Sequence, residues 1–295
     1  MSLSDKVVFG MFDSALLSRS IAQKIRAPSG NLFINKFPDG EWYIRFLSAV
    51  KGKNVYLVCS LHHANDKLIA LCLAGKTAKE LGAKSVTAII PYLAYMRQDN
   101  RFHPGEAVSS KIIGKLLGSC VDKLVTIDPH LHRFKSLDKV YTCRTKVLTA
   151  MPLMINLLKK KLAQEDYVII GPDSESYQWV STIARSVKRT AIALTKKRFS
   201  SYHVVIDTTP LKQFKNKTLV IADDVASTAK TLIAVVKAAR SYGIQKVYVL
   251  VVHPIFAGTA YQQLKKAGAT AVYSCNTIPH ITNRMDITEI LKERV

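Results

Sequence analysis

No Cys-x-x-Cys pair, no long apolar run and no apolar leading segment occur in this sequence of 295 residues. The five cysteines (Cys59, Cys72, Cys120, Cys143 and Cys275) are scattered and odd in number. That pattern favours buried free thiols in a reducing compartment over a disulfide framework or a cysteine zinc site. Apolar runs stay short of the roughly 18 residues a membrane span needs, and nothing resembles a secretory leader. The expectation is a soluble, cytoplasmic protein without a membrane partner. Acidic residues are scarce, 21 against 43 Lys and Arg, which leaves a net charge of +22. A surplus of that size draws polyanions: nucleic acid, anionic membrane or phosphorylated small molecules. No basic block exceeds Lys159-Lys160-Lys161, so there is no basic tail. No nucleic-acid-binding motif is present either, and no specific nucleic-acid partner is expected.

What is present is a repeated grammar. Hydrophobic residues make up 48% of the chain, enough for a sizeable core, and the length exceeds one ordinary domain of about 100–150 residues. Short β-branched runs such as Asn54–Cys59, Ser85–Ile90, Tyr167–Ile170, Thr218–Ala222 and Lys246–Val252 alternate with amphipathic stretches such as Asn65–Leu81, Met151–Leu162 and Thr228–Ser241. Such alternation predicts parallel sheets covered by helices, with ligands beyond the carboxyl ends of the strands. The expected division is residues 1–146 and 147–279, two halves of one α/β architecture. The stretch after about residue 280 is expected to pack back on the first half.

The most informative segment is Asp223-Asp224-Val225-Ala226-Ser227-Thr228-Ala229-Lys230-Thr231, which follows an apolar strand and opens a helix. Adjacent acids at a strand end are costly unless they bind something. Vicinal sugar hydroxyls suit them, since a carboxylate accepts from each. The hydroxyls of Ser227, Thr228 and Thr231 and the unpaired N–H groups of a helix start suit a phosphate. The plainer alternative is an acidic turn with an N-cap at Ser227 or Thr228.

This segment resembles the loop that binds phosphoribosyl pyrophosphate (PRPP) in phosphoribosyltransferases and in ribose-phosphate diphosphokinases, the PRPP synthetases. The run Pro91-Tyr92-Leu93-Ala94-Tyr95-Met96-Arg97-Gln98-Asp99, with Phe102-His103-Pro104-Gly105-Glu106 after it, is similar to the signature of the diphosphokinases and favours them. Arg97 suits bidentate phosphate binding, and Gln98 and Asp99 suit polar contacts with a nucleotide. Phe37-Pro38-Asp39-Gly40-Glu41 resembles the family loop that reaches the ATP base from a neighbouring subunit. Thr126-Ile127-Asp128-Pro129-His130 resembles the segment whose histidine lies at the magnesium site, with His132 as a second candidate. Gly171-Pro172-Asp173 looks like a turn whose aspartate serves a cation. Lys196 and Arg198, in Thr195-Lys196-Lys197-Arg198, fall where the family's mobile catalytic loop presents Lys-x-Arg to the transferring phosphates.

The resemblance implies two phosphoribosyltransferase-type domains and a Mg²⁺-dependent transfer of diphosphate from ATP to ribose 5-phosphate, giving PRPP and AMP. It assigns Phe37, Asp39, Glu41, Arg97, Gln98 and Asp99 to ATP. Asp223, Asp224, Ser227, Thr228, Ala229, Lys230 and Thr231 go to the ribose phosphate. His130 and Asp173 go to the metal, and Lys196 and Arg198 to catalysis. It further implies a homo-oligomer, dimer or hexamer. Three features depart from the family pattern: Ser227 in place of a third acid, Ala229-Lys230 in place of glycine, and Ser174-Glu175-Ser176 in place of small residues. A second reading therefore stays open at this point: a relative that retains nucleotide binding but is non-catalytic or takes another substrate.

Overall fold

The structure, a computed structural model, describes residues 5–131, 134, 136–198 and 204–291. The chain forms two compact units. One comprises Met1–Thr149, Thr277–Pro279 and Thr288–Val295, and the other Ala150–Asn276 and His280–Ile287.

The first unit contains β1 (Lys6–Gly10), α1 (Ala15–Lys24), β2 (Leu32–Lys36), β3 (Trp42–Phe46), β4 (Asn54–Val58), α2 (Ala64–Glu80), β5 (Ser85–Ile90), α3 (Ser109–Cys120), β6 (Lys123–Ile127) and β7 (Arg144–Leu148). Five of these strands form a parallel sheet in the order β1-β4-β5-β6-β7. Its inner strands are buried beyond their first residue, as in sheets covered on both faces. Leu57, Val86, Ala88, Ile90, Leu117 and Leu124 are buried together, each large aliphatic side chain contributing about 1.5–3 kcal/mol. Strands β2 and β3 form a separate antiparallel hairpin.

The second unit contains α4 (Met151–Lys161), β8 (Tyr167–Gly171), α5 (Tyr177–Val187), β9 (Thr190–Ala193), β10 (Thr195–Arg198), β11 (Val204–Asp207), β12 (Thr218–Ala226), α6 (Lys230–Ser241), β13 (Val247–Pro254), α7 (Ala260–Lys266), β14 (Ala271–Cys275) and β15 (Asn283–Met285). Helix α8 (Thr288–Leu291) belongs to the first unit. The parallel sheet of the second unit runs β15-β14-β13-β12-β8-β9. From β8 the chain steps outward to β9. It then returns to the other side of β8 and continues through β12, β13, β14 and β15. The order therefore reverses between β8 and β12, the kind of switch point where parallel sheets leave a crevice at the carboxyl ends of their strands.

The alternating parallel architecture agrees with the expectation from the sequence. Two local expectations are corrected. The helix expected from Thr228 starts at Lys230, because β12 continues to Ala226 in register with β13 as far as Pro254. Residues 195–198 are not a loop. They form β10, which pairs antiparallel with β11.

Candidate functional site

In the second unit the site grows from unequal strand lengths. β12 pairs with β8 only from Thr218 to Ile221, but with β13 as far as Ala226. Beyond Ile221 the strand has lost one neighbour, and Asp223 and Asp224 stand where the gap opens. Asp173 follows β8 at the same carboxyl edge. The structure thus brings together three of the residues expected from the sequence. Burial pushes the Asp223 carboxyl well above the usual range, and the charges of Asp224 and Asp173 push it further. Its Oδ1 accepts from the Asp224 N–H at 3.0 Å. Such mutual repulsion is relieved by a cation or by hydroxyl donors. Among the described residues no group of three His, Cys, Asp or Glu is arranged to hold a metal by protein ligands alone.

The departure at Ser174-Glu175-Ser176 has a local explanation. Asp173 caps the short turn 174–176, accepting from the Ser176 N–H at 3.0 Å, while the Ser176 hydroxyl donates to the Asp173 carbonyl at 2.6 Å. The turn fits only because Gly171 is bare: a Cβ there would meet the Ser176 Oγ at 2.2 Å. Serine thus fixes the aspartate that faces Asp223.

After β12 the chain turns through Ser227 and Thr228 into Ala229, which adopts φ 54° and ψ 14° and precedes the first residue of α6. This left-handed conformation ordinarily belongs to glycine. Ala229 holds it while buried, and its carbonyl accepts from Ile233 at 2.8 Å. Lys230 is exposed at the start of α6, and Thr231 is half-buried. No sequence motif marks what holds this turn from behind. The N–H groups of Phe256 and Ala257 donate to the carbonyls of Ala226 and Ser227 at 2.8 and 3.0 Å. Phe256 itself has φ 39°. Its ring lies 4.9 Å from that of His280 and 5.6 Å from that of Tyr261.

In the first unit the expected nucleotide residues sit on two segments, the tip of the β2–β3 hairpin and the loop after β5. Phe37, Asp39 and Glu41 line a shallow depression at the tip of the β2–β3 hairpin. There Gly40 supplies φ 99°, and the Asp39 carboxylate accepts from the Glu41 N–H at 3.2 Å. Trp42 anchors the hairpin edge-on against Phe12 at 5.2 Å. Arg97, Gln98 and Asp99 follow β5. Arg97 is exposed, Asp99 is only 6% exposed, and the Gln98 carbonyl accepts from Ser110 at the start of α3. Glu106 closes the same loop by accepting from the Phe102 N–H at 2.7 Å. That bond, with one from the His103 backbone, holds its carboxyl below the usual range. His130 is half-buried after β6; His132 lies outside the described residues. Lys196 and Arg198 occupy the β10 positions opposite Ile206 and Val204 of β11.

Comparison with known proteins gives concordant results. A profile for the N-terminal domain of ribose phosphate pyrophosphokinase matches residues 6–120, and one for the phosphoribosyl transferase domain matches residues 144–289. The ribose-phosphate pyrophosphokinase of Saccharolobus solfataricus is 33% identical over 265 residues, 89% of each chain. That of Pyrococcus furiosus is 33% identical over 271 residues, covering 91% of this chain and 94% of its own. The Mycoplasma pneumoniae protein of the same name is 31% identical over 90% of this chain and 81% of its own. Among solved structures, the phosphoribosylpyrophosphate synthetase of Mycobacterium smegmatis shares the fold, with a TM-score of 0.84 at 24% identity over 97% of this chain and 96% of that one. The chain belongs to the ribose-phosphate pyrophosphokinase family.

Proposed function

We propose that this protein transfers the β,γ-diphosphate of Mg-ATP to the anomeric hydroxyl of ribose 5-phosphate, giving PRPP and AMP. The observation that carries the proposal is the pairing of Asp223 and Asp224 with a left-handed turn at a helix start, at the switch point of a parallel sheet. The two carboxylates accept from the ribose 2- and 3-hydroxyls. The hydroxyls of Ser227, Thr228 and Thr231 and the N–H groups at the start of α6 hold the 5-phosphate. The exposed Lys230 adds a cation at the same helix start.

Arg97, Gln98 and Asp99 hold ATP, with Phe37, Asp39 and Glu41 contributed by a neighbouring copy in a homo-oligomer. The donor set fits Mg²⁺: oxygen-rich, strongly acidic around Asp173, and short of a full protein cage, as befits an ion that keeps its waters and shares substrate phosphates. Asp173 would hold it, with His130 as the position for a further cation, and magnesium would supply charge neutralisation at the phosphates. Lys196 and Arg198 offset the charge that builds on the phosphoryl oxygens as the anomeric oxygen attacks the β-phosphorus and AMP departs. Positioning and electrostatics suffice for this chemistry without a covalent intermediate. No helix among the described residues is long and apolar enough to cross a membrane, and a cytoplasmic location accords with substrates that are cytoplasmic metabolites.

Phosphorus NMR of Mg-ATP mixed with ribose 5-phosphate tests the reading. AMP and PRPP should appear in equal amounts. Release of ADP and phosphate, or no reaction, would remove the diphosphate transfer and favour the relative that binds nucleotide without this chemistry.

A further inference from the structure

The second unit contains a cavity of about 280 Å³ far from the carboxyl edge of its sheet. It lies between the ends of α4 and α5 and is lined by Leu158, Lys159, Leu162, Tyr167, Lys188 and Arg189 among others. Tyr167 begins β8 and Arg189 immediately precedes β9, so the cavity opens at the amino edge. About 13 Å of strand separates Tyr167 from Gly171, and Asp173 lies beyond that. No residue assigned to the proposed reaction touches the cavity.

Its chemistry is that of an anion site. The Arg189 guanidinium stacks on the Tyr167 ring at 5.0 Å and donates through one terminal nitrogen to the Glu165 carbonyl at 3.1 Å. Its Nε is buried with no hydrogen-bond partner among the described residues, an unfavourable state unless an acceptor is supplied. Tyr167 is 4% exposed, and its hydroxyl makes no hydrogen bond within the described residues. The ammonium groups of Lys159 and Lys188 pair with no carboxylate there. The nearby acids are engaged elsewhere: Glu165 with Lys246 and Thr218, Asp166 with Lys217.

Helix ends supply the competing explanation. α4 and α5 both point their carboxyl ends here, and basic side chains complement such ends. Each end carries about half a negative charge. Three cations against two such ends leave a surplus of about two positive charges, which helix complementation does not use. A phosphate monoester carries about −1.5 to −2 at neutral pH, and the apolar walls of Leu158 and Leu162 suit a carbon body. The volume falls below the roughly 300–1,000 Å³ of sites for drug-sized ligands, so that body is small. We infer that this cavity binds the phosphate monoester of a small organic molecule, at a site separate from the catalytic one.

The inference does not depend on the proposed reaction, and its test is calorimetric titration of phenyl phosphate into the full chain, with ribose 5-phosphate saturating to cover the other phosphate site. One saturable event is expected, weakened about tenfold or more by Lys188→Gly and by Tyr167→Phe. Lys188 has φ 55°, a conformation glycine adopts freely, so Lys188→Gly keeps the fold while removing a cation; AMP release should stay at the wild-type rate. Absence of saturable heat, or equal affinity in the wild type and both variants, would overturn the site. Phenyl sulfate binding as tightly as phenyl phosphate would overturn the dianion assignment, and inorganic phosphate binding as tightly would overturn the organic body.

Discussion

Ala229 carries the sharpest residue-level consequence. A left-handed alanine costs about 1–2 kcal/mol, and glycine would remove that strain while adding about 0.5–1 kcal/mol of unfolded-state entropy. Ala229→Gly should therefore stabilise the protein slightly, by about 0.5 kcal/mol, read as a rise in melting temperature of roughly 1–2 °C. A loss of 1 kcal/mol or more would mean that the packing of this buried methyl in the core of the second unit outweighs the strain. Asp223 behaves in the opposite sense to most carboxylates, since its charge is disfavoured in the ligand-free fold. Asp223→Asn should raise the ligand-free melting temperature while lowering turnover about a hundredfold, the scale of lost electrostatic groups in active sites; a variant both less stable and fully active would refute that role. Asp13 follows the ordinary rule. Burial raises its pKa, but hydrogen bonds and charges from His62 and Lys67 more than offset this and leave it lowered. Its carboxylate contacts the buried Lys67 ammonium at 2.9 Å. Asp13→Asn would leave that ammonium without its counter-charge, at a cost of about 2 kcal/mol for a pair that is one-third exposed on the acid side. Because the folded pKa lies below the unfolded one, this contribution is present above about pH 4 and fades as pH falls further. Denaturant titrations of the two proteins should converge in acid; a difference that grows there would reverse the sign of the argument.

At the scale of elements, the buried parallel strands were legible because continuous β-branched runs have few other uses. Ser85–Ile90 was read to its ends, and most other strands and helices to within a few residues. The elements outside the two parallel sheets, and the edge strand β7, were not legible. In β2 and β3 the aromatic residues Phe33 and Tyr43 face solvent and lie 5.9 Å apart, which blurs the alternation of polar and apolar positions. β7 is an edge strand with Arg144 and Lys146 on its length. β10 reads Thr-Lys-Lys-Arg and has no apolar residue at all, so no apolar pattern marks it in the sequence, and its strand character shows in its pairing with β11. In the candidate site, Asp223, Asp224 and the turn were recognisable from residue type and spacing. The supports were not: the backbone of Phe256 and Ala257 acts through N–H groups that every residue possesses. The β10–β11 ribbon also gives the catalytic assignment a testable form. Lys196→Ala should lower kcat by two orders of magnitude or more while changing KM for ATP by less than about threefold. A large rise in KM at constant kcat would make Lys196 a ground-state contact instead.

For the whole molecule, a net charge of +22 fits a protein whose substrates and products are all phosphorylated, since a positive field steers anions toward their sites. The central claim is narrower than charge. It is that the strand end at Asp223 and Asp224 grips a sugar through its two neighbouring hydroxyls while the phosphate rests on the turn beside Ala229. AMP release from Mg-ATP should therefore be compared with ribose 5-phosphate, with 2-deoxyribose 5-phosphate and with no sugar phosphate. Removing the 2-hydroxyl deletes a hydrogen bond to a charged acceptor, about 1.5–3 kcal/mol, so kcat/KM should drop at least about tenfold with the deoxy sugar and release should cease without any sugar. AMP release that is indifferent to the sugar, or equal for the two pentoses, would contradict the account.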